Sequence, residues 1–318
     1  VRRERRSSVA GETAFVFRHI LVRDIAYSQI PRTRRADVHR LAAEWLEGLA
    51  GDRAEDLADL IAHHYLSALQ FARAAGRDLD ALRGRARNAL AEAGDRALGL
   101  SAYAAAVRFY REALASWPEN DAERPRLLLR YGQALFRGEG GGADVLAEAA
   151  AELLDAGELE LAAEAEVLLG ELLMISHGRR EEAVSHFAHA DALLAERPPS
   201  RSKVRVLASR ASLHLAMDEA GPAMDAAGEA LRMADELGLA GLRAHALSTR
   251  GFSRVMTGDL EGLRDLRESV EVAAGANSPQ AARGFNNLAS ITADLGDLPR
   301  AFELYAEGRR VAERFGDA

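Results

Sequence analysis

The chain has 318 residues, 48% of them apolar, a formal charge of −8 and no cysteine. That apolar share can bury a sizeable core and excludes a disordered chain, while the missing thiols exclude disulfides and thiolate zinc sites and suit a reducing cytoplasm. No apolar run approaches the roughly 20 residues that cross a bilayer, so neither a membrane segment nor a signal-peptide core is expected.

Ala, Leu, Glu and Arg dominate, aromatics make up 6%, and β-branched runs are short, which points to an all-α fold with an interior of Ala and Leu. Residues 1–40 carry ten Arg against four acids, a segment of +6 that leaves −14 for the rest. The acidic remainder repels phosphate backbones, so no nucleic-acid partner is expected for it. Phe15 to His19 alternate and predict a short strand, the only one expected. Ile20, Leu21, Ile25, Ala26, Tyr27 and Ile30 follow with helical spacing, and Pro31 should stop that helix near Gln29. A second helix is expected from about Arg34 to Leu49, burying Val38, Leu41, Ala42, Trp45 and Leu49. A third runs from about Glu55 to Ala75 and ends at Gly76.

From residue 80 the sequence repeats itself. Leu90, Gly94, Ala106, Tyr110, Ala113 and Pro118 form one set; Phe285, Leu288, Ala289, Gly296-Asp297-Leu298, Ala301, Tyr305 and Gly308 form the last. Between them lie Gly170, Ala183, Phe187 and Ala190; then Ala211, Ala223, Ala227 and Ala230; then Gly251, Gly258-Asp259-Leu260, Leu263 and Val270. The anchors Ala106, Ala183, Ala223, Leu263 and Ala301 are spaced by about two periods and then one period each. The missing unit falls on Leu128, Tyr131, Gly132 and Leu135, with Leu146 to Leu154 as its second helix and glycines 138 and 140 to 142 in its turn. Small residues recurring at fixed offsets let two antiparallel helices approach closely, the signature of tetratricopeptide repeats. Six such units are expected. Their period near 39 exceeds the standard 34, so helices or turns must be extended.

No catalytic constellation emerges. There is no Gly-x-x-x-x-Gly-Lys-[Ser/Thr] loop, the one lysine, Lys203, follows Arg-Ser, and no nucleophile elbow is present. His63 and His64 project about 100° apart on one helix and do not suit a single metal ion. His186 and His189, with Glu182 a turn earlier, have usable zinc spacing but lack a further ligand, and exposed helix histidines explain them better. No cofactor and no metal are expected.

The N-terminal residues 17–27 (Phe-Arg-His-Ile-Leu-Val-Arg-Asp-Ile-Ala-Tyr), Arg34-Arg35 with His39, Ala43 to Glu47, and Leu60 to Tyr65 resemble a particular junction. It is that between a winged-helix ATPase segment and tetratricopeptide repeats in AAA/STAND-type signalling ATPases, most closely the actinobacterial adenylate/guanylate cyclase-like group. The resemblance implies residues 1–50 as the end of a winged-helix segment, 51–79 as a linker helix and 80–318 as a right-handed superhelix of about six helix pairs. It also implies a C-terminal fragment that neither hydrolyses ATP nor makes a cyclic nucleotide, and that serves as a protein-binding scaffold or sensor arm. The alternative is the regulatory region of a nucleotide cyclase or an ATP-dependent transcription regulator.

Groove positions of peptide-binding tetratricopeptide repeats carry over to Arg205, Ala208, Ser209, Ser212, Leu215 and Ala216 in the fourth unit. They carry over to His245, Ser248, Thr249, Phe252, Val255 and Met256 in the fifth, and to Arg283, Asn286, Asn287, Ser290, Ala293 and Asp294 in the sixth. Amides and hydroxyls there can bond a peptide backbone, and Arg can hold a carboxylate. The implied partner is a protein or peptide, with the ATPase domain of the same polypeptide as one candidate. A weaker reading places a small ligand near Phe252 and Met256.

Overall fold

The computed structural model describes residues 1–3, 13, 15–50 and 54–315. These divide into two compact units, Val1–Ala93 and Gly94–Ala318.

In the first unit β1 (Arg2–Arg3) and β2 (Phe15–Val16) pair antiparallel, Arg2 opposite Val16. The expected strand is thus only two residues long, and it is not the only one, because Arg2–Arg3 supplies the partner that a strand needs for its backbone hydrogen bonds. Helix α1 (Ile20–Ser28) stops just before Pro31, and Arg35 caps it by donating Nε to Ile30 O and Nη2 to Ser28 O, both at 2.8 Å. Helices α2 (Arg32–Ala50) and α3 (Ala54–Ala74) pack against each other, and Gly76 supplies the left-handed turn after α3.

The buried face of α2 differs from the expected one. Ala36, Ala43 and Leu46 enter the core with Ile61, Tyr65, Ala68 and Leu69 of α3, whereas Val38, Leu41 and Trp45 are exposed, Trp45 at 47%. At about 100° per residue these three lie roughly opposite Ala36. Close approach to α3 selects the small side chains, Ala43 being fully buried, and hydrophobicity alone chose the wrong stripe. Helix α1 likewise buries no residue.

From residue 80 the described residues form six helix pairs: α4 (Asp80–Gly99), which begins in the first unit and ends in the second, with α5 (Tyr103–Leu114), α6 (Arg124–Glu139) with α7 (Ala143–Asp155), and α8 (Leu159–His177) with α9 (Arg180–Leu194). They continue as α10 (Arg201–Ala216) with α11 (Ala220–Glu236), α12 (Ala240–Met256) with α13 (Gly262–Gly275), and α14 (Gln280–Asp294) with α15 (Leu298–Arg314). Small residues bring the partners together as the repeat requires. A Cβ added at Gly94 would stand 2.5 Å from Tyr110 Cε1, and one at Gly170 2.8 Å from Phe187 Cε2. One at Gly251 would stand 2.7 Å from the carbonyl oxygen of Gly262. Ala106, Ala183, Ala223 and Ala301 are all buried. The turn glycines Gly258 and Gly296 sit at φ +90° and +92°, and the following aspartates accept from backbone N–H groups of the next helix start, Asp259 from Glu261 and Asp297 from Arg300. Gly138, expected in the second unit's turn, lies inside α6 against Tyr103, so that turn is confined to residues 140–142.

Candidate functional site

In the second unit, first helices pack on first helices in succession: α6 on α8, α8 on α10, α10 on α12 and α12 on α14. Successive second helices make no comparable contact among the described residues. The first helices therefore build one continuous wall. Polar side chains cross it one period at a time. Ser202 donates to Glu164 Oε1 (2.6 Å), Ser209 to Glu171 Oε1 (2.8 Å), and Asn287 Nδ2 to Ser248 Oγ (2.9 Å). Arg137 Nη2 donates to Glu171 Oε2 (3.2 Å), and Arg205 Nη1 stands 3.7 Å from Glu164 Oε2.

The wall curves inward. Arg283 of α14 donates Nη2 to Ser212 Oγ of α10 at 2.9 Å, past α12, and Ser212 Oγ is also 2.9 Å from His245 Nε2 and 3.3 Å from Thr249 Oγ1. Side chains two units apart meet only on a concave face. His245 is 7% exposed, and its pKa is pushed well below the usual 6.5, by burial first and then by Arg283, Arg205 and Arg137. It is therefore a neutral imidazole at neutral pH, ringed by three guanidiniums. Desolvation against the wall lowers the pKa of Arg283, opposed by Glu171 and reinforced by Arg137. Solvent still reaches this side chain, which is exposed, so it stays charged.

Seven of the ten candidates drawn from the sequence, Arg205, Ser209, Ser212, His245, Thr249, Arg283 and Asn287, take part in these cross-wall contacts, and the ten sit at different depths. Arg283 and Asn286 are exposed; Arg205, Ser212, Phe252, Asn287 and Ser290 are half-buried; Ser209, His245 and Thr249 are buried in the wall. Phe252 packs on the cluster of Leu266, Leu288 and Ile291, while Met256 is exposed. Arg137, Glu164, Glu171 and Ser202 were missed. Their signal is an echo: Glu164 and Glu171 are matched by Ser202 and Ser209 one period later.

Histidines gather elsewhere. His39 Nδ1 lies 2.9 Å from His64 Nδ1, Tyr27 Oη lies 2.7 Å from His39 Nε2, and Phe71 stacks on His39 at 5.8 Å. His186 and His189 both approach one buried carboxylate, Glu166, at 2.6 and 2.9 Å, while Glu182 pairs with Arg179. Among the described residues no group of three or more His, Asp or Glu side chains is arranged to hold a metal ion, and no helix is long and apolar enough to cross a membrane.

No protein-family model matches the chain, and no curated protein matches it. Solved structures do. A Rap protein complexed with Competence and Sporulation Factor superposes with a TM-score of 0.62 at 14% identity, over 92% of this chain and 79% of that one. The fold is tetratricopeptide-like. The Rap conjugation gene regulator of the plasmid pLS20, in complex with the Phr* peptide, gives 0.56 at 12% identity, over 88% of this chain and 96% of that one. A STAND protein with a tetratricopeptide repeat sensor from Pyrococcus horikoshii gives 0.51 at 14% identity over 91% of this chain, which spans 46% of that protein's length.

Proposed function

We propose that the chain is a protein-binding regulatory module whose ligand is a peptide segment lying on α10, α12 and α14. The observation that carries this is the inward curve of the polar wall, fixed by the Arg283–Ser212 bond, with Arg283 open to solvent above a bonded floor of Ser212, His245 and Thr249 and Asn286 exposed in the next turn of α14. An extended peptide needs such alternating donors and acceptors for its backbone. Structural neighbours of the same fold whose structures contain a peptide or a factor support the reading.

We further propose that residues 1–50 end a winged-helix segment and 51–79 link it to repeats at 80–318, the module acting as sensor arm of a cytoplasmic signalling ATPase. The exposed apolar side chains of α1, Leu21 at 71% and Ile25 at 62%, favour contact of that segment with another protein surface. The likeness to a STAND sensor is consistent with it.

The test is capture from host lysate on the immobilised chain, wild type against Arg283→Ala/Asn286→Ala/Asn287→Ala. A protein retained by the wild type and lost from the triple variant supports the groove; equal retention moves the binding surface elsewhere.

A further inference from the structure

The chemistry of the peptide follows from the groove's charges. Two carboxylates beside the wall's cations are already committed: Glu171 accepts from Arg137 and Ser209, and Glu164 accepts from Ser202 with Arg205 beside it. Arg283 ends instead on a neutral acceptor, the Ser212 hydroxyl, and no carboxylate lies within ion-pair distance of it among the described residues. One of its five N–H groups is thereby used, and a guanidinium with free N–H groups presents a fork that fits a carboxylate in bidentate fashion. Arg137, Arg205 and Arg283 against Glu164 and Glu171 leave this stretch of the wall locally positive in a chain of net charge −8, with the exposed Asp294 about two turns beyond Asn287 in α14. Neutral amides flank the fork at Asn286 and Asn287, and Ser290 follows one turn on, none of which repels an anion.

We propose that this groove selects peptides carrying a carboxylate, which docks on the Arg283 guanidinium with Arg205 as second cation. This rests on the groove reading above and adds the ligand's charge to it. In this arrangement the rest of the peptide runs along α12 and α14 while its acid provides the register. An acidic side chain and a free C-terminus offer the same carboxylate, and the two are separable by experiment.

The test uses the 318-residue chain to select from a random octapeptide library displayed with free C-termini, followed by fluorescence anisotropy on the selected peptides, made with free and with amidated C-termini. Enrichment of Asp or Glu, or of peptides that need a free C-terminus, is expected. Arg283→Gln, an exposed substitution, and separately Arg205→Gln are expected to weaken the selected peptide at least tenfold, and raising salt is expected to weaken the wild type. If amidation weakens binding as much as the variants do, the C-terminus is the source of the carboxylate; if it has no effect, the side chain is. Enriched peptides without acids that bind equally well when amidated, or acidic peptides that bind both variants as well as the wild type, overturn the charge inference while leaving a peptide groove standing. No enrichment at all, or self-association of the chain through this face, overturns both.

Discussion

Arg283 Nη2 and Ser212 Oγ, 71 residues apart, are joined at 2.9 Å over an intervening helix. The bond ties the fourth unit to the sixth and so measures the curvature of the wall directly. Because Arg283 is solvent-exposed and Ser212 only half-buried, the net worth of the bond is modest. In a double-mutant cycle, Ser212→Ala and Arg283→Ala should show a coupling of about 0.5–1.5 kcal/mol in urea unfolding. A coupling of zero would place the two side chains apart in solution.

Gly251 fixes the closest helix approach in the fifth pair. An added Cβ meets the carbonyl oxygen of Gly262 at 2.7 Å and Asp265 Cβ at 2.9 Å, neighbours that include backbone and cannot swing aside. Gly251→Leu should cost about 1–3 kcal/mol. Gly228 in α11 faces open space, so Gly228→Ala should instead gain up to about 1 kcal/mol from helix propensity. Thermal melts of the two variants should move in opposite directions.

Asp265 is a buried carboxylate held by two cations across α12 and α13. Arg250 donates Nε and Nη2 to it at 2.8 and 2.9 Å, and Arg254 Nη1 at 3.2 Å. Asp265→Ala removes all three bonds. Since both arginines keep partial contact with water, they can turn outward, and the expected loss is about 2–3 kcal/mol, below that of a fully enclosed pair. Chemical denaturation checks it.

His39 carries a pH prediction. Burial first, then His64, His63 and Arg35, lower its pKa from 6.5 to about 4; Tyr27 and Phe71 complete its surroundings. The folded state thus favours neutral imidazole, and between about pH 6.5 and 4 the unfolded chain binds the proton more readily. The His39 contribution to stability is complete above 6.5 and is lost as pH falls towards 4. His39→Gln should flatten the pH dependence of stability in this window, with His64 and His245, also lowered, retaining a residual slope. An NMR titration should find His39 neutral at pH 5.5.

Much of the fold was legible because close helix packing leaves a residue code. Gly94, Gly170 and Gly251 stand where a larger side chain would collide, so their spacing announced the pairs. In α2 the same logic applied to Ala36 and Ala43, but the larger Val38, Leu41 and Trp45 gave a louder signal on the opposite face. That Arg205, Ser212 and Arg283 lie on one wall of first helices was legible from the register. The partners were not, because Ser209–Glu171 and Arg283–Ser212 depend on superhelical curvature, which no single repeat encodes. His39 joined His64 unannounced for a related reason: their helices meet only in the tertiary structure.

The most direct test of the central claim is site-specific photo-crosslinking of the full chain in host cells, with benzoylphenylalanine placed at Asn286 on the inner wall or at Val184 on a second helix. Both side chains are exposed. Crosslinks to a partner from position 286 and none from 184 are predicted. Crosslinks from 184 alone would contradict the account, placing recognition on the second helices and leaving the polar wall a structural feature.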